Sequence, residues 1–93
     1  MSGPRDAYQY INSTGQVSVS NTATEIIAAN TQRGAVLITN TSTSVAVYLG
    51  TSTVTSSTGH QLPAGASTTI PVYCAIYAIT SSSTATCTWL EVQ

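Results

Sequence analysis

The sequence predicts an all-β protein: a small antiparallel β-sandwich or barrel of about seven strands with an extended N-terminal arm. Three observations lead there. Short runs rich in β-branched and aromatic residues recur roughly every ten positions. No segment longer than a few residues spaces its apolar positions as a helix would. Between the runs lie clusters of Asn, Ser, Thr, Gly and Pro, which supply the side-chain hydrogen bonds and backbone freedom that turns require.

Residues 1–14 show no clear alternation and read as an extended arm, leaving 15–93 as a single β-domain. The first expected strand is QVSVS (16–20), followed by TEIIAA (24–29), with the turn NTQRG (30–34) after it. AVLITN (35–40) and VAVYLG (45–50) flank NTSTS (40–44), whose Asn and Ser favour a reversal. Gly50 breaks the next strand, and eight consecutive Ser, Thr or Val residues (51–58) follow before Gly59 and His60. LPAGAS (62–67) places Pro and Gly at turn spacing and leads into STTIPV (67–72), where Pro71 predicts a sheet edge or a bulge. AIYAIT (75–80) and ATCTWLEVQ (85–93) read as a hairpin around Ser81, Ser82 and Ser83. In that register Cys87 lies opposite Ala78 and Cys74 opposite Glu91, too far apart for a disulfide, so two free and mostly buried thiols are expected.

Charge is the unusual feature of the composition. Only 5% of the 93 residues are charged, against about 25% in an ordinary domain, and the net charge is -1. Lys is absent, Arg5 and Arg33 are the two arginines, and Asp6, Glu25 and Glu91 the three acids, while 30 residues are Ser or Thr. Two separated arginines do not neutralise a phosphate backbone, which argues against nucleic acid as a partner. Apolar runs fall far short of the roughly 20 residues that span a bilayer, and MSGPRDAYQY lacks the apolar segment of an export signal. A surface of hydroxyls and amides has little repulsion to keep copies apart. An open sandwich usually protects its edges with charge, so these edges are expected to be closed in a barrel or covered by neighbouring subunits.

Candidate chemistry is sparse. His60 is the only histidine and so the one ready candidate for general acid or base work, but no acid lies near it in sequence to orient it for nucleophilic catalysis, and a turn-stabilising or exposed role is expected. One His, two Cys separated by 12 residues and scattered acids match no metal-ligand spacing. GTSTVTSSTG has no Lys and no strand-to-helix context, so it is not a phosphate loop. No enzymatic activity and no cofactor are therefore expected. Asn12 and Asn40 head the sequons NST and NTS and read as ordinary turn residues. Trp89, in a run with Leu90 and Val92, reads as core or subunit interface. Tyr8 and Tyr10 either fold back over their own barrel or anchor a partner, since aromatic rings bring large contact area at small entropic cost. Arg5, Tyr8, Tyr10 and Ile11 are accordingly the candidate partner-binding residues.

Residues 33–92 carry a run in which an R-x-x-hydrophobic-x-N-T-like strand leads to VYLG, then a hydroxyl-rich loop ending TGHQL, then G-x-S and a closing VYCAIYAI. Tyr48, Leu49, Gly50, Thr58, Gly59, Leu62, Gly65, Tyr77, Ala78 and Ile79 stand at the matching places. This run resembles small β-rich virion proteins of tailed bacteriophages, and it covers about two thirds of the chain without the N-terminal arm. The resemblance implies a capsid decoration or cement protein on the outer capsid surface of the virion. It also implies the major capsid protein as partner and a homotrimer as assembly. Its alternative is a head-fibre or tail adhesin module that binds host surface glycans.

Overall fold

The computed structural model describes residues 10–93 as a two-layered antiparallel β-sandwich. Its strands are β1 (Ile11–Val19), β2 (Thr24–Ile27), β3 (Ala35–Asn40), β4 (Val47–Gly50), β5 (His60–Leu62), β6 (Ser67–Ile70), β7 (Ile76–Ile79) and β8 (Ala85–Val92). The first sheet has the order β1-β8-β3-β6 and the second β2-β7-β4-β5.

Period-two alternation sends one face of each sheet inward. Val36 and Ile38 of β3, Val19 of β1 and Ala85 and Cys87 of β8 face Ile26, Ile27, Val47, Leu49, Leu62, Ile76 and Ala78 of the second sheet, and all of these are buried. Each fully buried Val, Leu or Ile contributes about 1.5–3 kcal/mol. The outer face of the first sheet carries instead Thr14, Gln16, Ser18, Thr86, Thr88 and Thr39, mostly threonines, whose β-branched side chains suit a solvated pleat.

Four expectations are corrected. Residues 11–14 belong to β1 and pair with β8, so the β-domain begins before residue 15; residues 1–9 of the expected arm lie outside the described residues. Two features hid this strand: the register shift between Ile11 and Ser13, and Gly15, whose missing side chain is replaced by the ring of Trp89. A Cβ on Gly15 would stand 2.4 Å from that ring, and Trp89 Nε1 donates to Ser13 Oγ at 3.3 Å. Second, β5 is a strand absent from the expected set, and among the described residues it brings the total to eight, in keeping with about seven; three residues with a single inward Leu62 are too short for alternation to show.

Third, β7 and β8 are not a hairpin. Each is an inner strand of a different sheet, and residues 80–84 carry the chain from one layer to the other. Thr80 fixes this crossing: its backbone N–H donates to Ser20 O at 2.9 Å and its Oγ1 to Ser83 O. Alternating apolar residues look the same in a hairpin and in an inter-sheet crossing, which is why the run 75–93 misleads. Fourth, both thiols are free, but only Cys87 is buried, and Cys74 lies exposed before β7. Pro71 directly follows β6, an edge strand of the first sheet, as its ring requires.

Candidate interaction surface

One end of the sandwich is organised around a buried ion pair. Arg33, in the turn before β3, places Nη1 2.8 Å from Glu91 Oε2, and the two side chains are 0% and 5% exposed. Removal of two charges from water is favourable only where the remaining donors and acceptors are satisfied. Here they are. Arg33 Nε donates to Val72 O at 2.8 Å, Nη1 also to Ala28 O at 3.0 Å, and Nη2 to Cys74 O. Glu91 accepts from Ser13 Oγ at 2.9 Å and Asn30 Nδ2 at 3.2 Å. Burial pushes the Glu91 carboxyl upward, but hydrogen bonds from Arg33, Ser13 and Asn30 and the Arg33 charge outweigh it, and the net effect holds it below 4.5.

This cluster ties together β1, the β2–β3 turn, the segment after β6, and β8. Asn30 N–H donates to Tyr73 O at 2.8 Å, Gly34 N–H to Val92 O at 2.9 Å and Gln93 N–H to Tyr10 O at 3.0 Å. The backbone at Val72, Tyr73 and Cys74 is thus pinned from inside by Arg33 and Asn30, while Val72 and Tyr73 face outward. Tyr73 is 61% exposed and stands over a shallow hollow of about 340 Å³ lined by Pro71, Val72, Tyr73 and Cys74. Tyr10 and Ile11, 56% and 62% exposed, emerge at the same end, where Ile11 pairs with Val92. Among the described residues four of the five large exposed hydrophobics therefore lie at this end, Tyr10 and Ile11 at the edge strand β1 and Val72 and Tyr73 beyond the opposite edge strand β6. The fifth, Leu37, lies on the outer face opposite Leu90.

Of the residues expected to bind a partner, Tyr10 and Ile11 belong to this end, and Arg5 and Tyr8 lie outside the described residues. Val72 and Tyr73 were not anticipated. Their signal was present in Pro71, which stops β6 and leaves an apolar dipeptide with no strand to join.

The hydroxyl loop between β4 and β5 bonds chiefly to itself. Thr58 Oγ1 accepts from Thr55 N–H at 3.0 Å, Thr55 Oγ1 accepts from Ser57 N–H at 3.3 Å, and the two threonine hydroxyls meet at 3.0 Å. Val54, only 6% exposed, plugs the loop from inside, and Gly50 and Gly59 make room for it: a Cβ at either would fall 2.7 Å from Val54 Cγ2. His60 is exposed on the edge strand β5, opposite Leu49. Asn40 is fully buried, donating to Val45 O at 2.8 Å and Leu62 O at 3.0 Å, so the second sequon is a tie between the two sheets. Among the described residues no group of three His, Cys, Asp or Glu side chains converges, and Glu25 is the one exposed charged side chain. Comparison with protein families, characterised proteins and solved structures finds no match.

Proposed function

We propose that this chain is a structural virion protein of a tailed phage that decorates or cements the capsid from its outer surface, and that it attaches to the major capsid protein through the Arg33–Glu91 end of the sandwich. One observation carries the reading: Tyr10, Ile11, Val72 and Tyr73 are exposed at that end, where Arg33 and Asn30 bond the backbone of residues 72–74 and the charges of the network are themselves buried and paired. Burying an exposed ring or branched side chain against a partner contributes about 1.5–3 kcal/mol each. Because the pinned backbone is already ordered, less of that gain is lost to entropy on binding. The resemblance supports the virion, and two of its matching residues, Gly50 and Gly59, make the room that Val54 fills inside the β4–β5 loop.

The experiment is densitometry of purified particles. A decoration protein appears at a copy number comparable to that of the major capsid protein. A few copies per particle contradict decoration and fit a head fibre or tail adhesin.

A further inference from the structure

We infer that two copies of this chain join edge to edge through β1, antiparallel and about a two-fold axis near Gly15, so that the first sheets of both run on as one eight-stranded sheet. A sheet edge presents unpaired N–H and C=O groups, and natural edges are blunted by shortness, charge or Pro. Three of the four edges here are so treated. β5 has three residues, β6 has four and ends at Pro71, and β2 has four and bears Glu25, the exposed charge. β1 differs in length and chemistry: nine residues, INSTGQVSV, with no charge and no Pro, its register with β8 shifted between Ile11 and Ser13 and unbroken from Ser13 to Val19. Among the described residues β8 is the only strand that pairs with it.

The occupant follows from the strand itself. An isologous contact must be self-complementary, and a two-fold at Gly15 places Thr14 opposite Gln16 and Asn12 opposite Ser18 of the second copy. All four are exposed, polar and uncharged, so nothing repels across the axis. Main-chain hydrogen bonds supply the affinity, as in β-strand addition generally. Antiparallel pairing also points the two Tyr10–Tyr73 ends away from each other. On the virion reading the dimer then bridges two capsid subunits, which is what a cement must do; the pairing itself does not depend on that reading. The resemblance implies a trimer, and the β1 edge favours a dimer.

Sedimentation equilibrium of the full 93-residue chain tests this, with the expected mass twice 9.6 kDa. Thr14→Lys/Gln16→Lys sets introduced lysines against each other across the axis and weakens the dimer roughly tenfold or more, since like charges directly opposite on a sheet are destabilising. Thr14→Lys/Gln16→Glu sets opposite charges there and restores it. Thermal melts confirm that both variants are folded, as substitutions at exposed outer-face positions allow. A monomer or a trimer for the native chain overturns the inference. It is equally overturned if the double-lysine variant dimerises as the native chain does, or if the lysine/glutamate variant dissociates as fully as the double-lysine one.

Discussion

Glu91 shows how one residue sets both stability and presentation. Replacing one member of a buried ion pair leaves the other charge uncompensated, at a cost of about 3–5 kcal/mol. Glu91→Gln is therefore expected to lower Tm by more than about 10 °C, as measured by circular dichroism. The pH dependence follows from the direction of the shift. Because folding holds the carboxyl below 4.5, the folded state is the poorer proton binder, and the stability that Glu91 contributes is complete above that value. It is lost as pH falls through the lowered folded-state pKa, so the gap in Tm between native chain and variant is wide at pH 7 and closes in acid. A gap that is constant with pH would show that the carboxylate charge is not what stabilises this end. The thiols give an independent check on burial. Burial pushes Cys87 up to about 11, which keeps it protonated and shielded, whereas Cys74 is exposed. Ellman's reagent should titrate one thiol in the folded protein and two in denaturant.

Glycine positions test the account at the level of strands and loops. In Gly59→Ala the new methyl would lie 2.6 Å from Tyr48 Cβ and 2.7 Å from Val54 Cγ2, atoms close to the backbone that yield little. Such overpacking costs about 1–3 kcal/mol and should loosen the β4–β5 loop. Gly15→Ala acts differently, because its methyl meets the far end of the Trp89 ring, which can swing outward. Loss of the Ser13 hydrogen bond and a red-shifted emission from this single tryptophan are the expected signature, and unchanged fluorescence would contradict the stacking of Trp89 over Gly15. The elements most legible in the sequence are those with strong alternation: the expected bounds of β3 coincide with Ala35–Asn40, and those of β4, β6, β7 and β8 fall within a few residues of the strands. What could not be read was pairing. Alternation says which side chains point inward and nothing about which strand lies alongside, so β7 and β8 passed for a hairpin. The start of β1 escaped because its core contact at Gly15 is supplied by a side chain 74 positions later in the chain, Trp89.

The charge deficit visible in the sequence becomes sharper in the folded molecule. Arg33 and Glu91 are consumed internally, which leaves Glu25 as the exposed charged side chain among the described residues. The scarcity of surface charge is thus legible in the sequence, but not where the exposed apolar side chains would lie, since residues 10–11, 33, 72–73 and 91 are brought to one end only by the fold. Binding through such a surface is insensitive to screening, which acts on charges and leaves apolar and hydroxyl contacts in place. The most direct measurement is cosedimentation of the purified chain with capsids that lack it, at salt from roughly 50 mM to 500 mM. Saturable binding that changes little across the range, and that Tyr73→Ala weakens at every salt concentration, is the result expected of attachment through the uncharged Arg33–Glu91 end; absence of binding, or a steep loss with added salt, would contradict it.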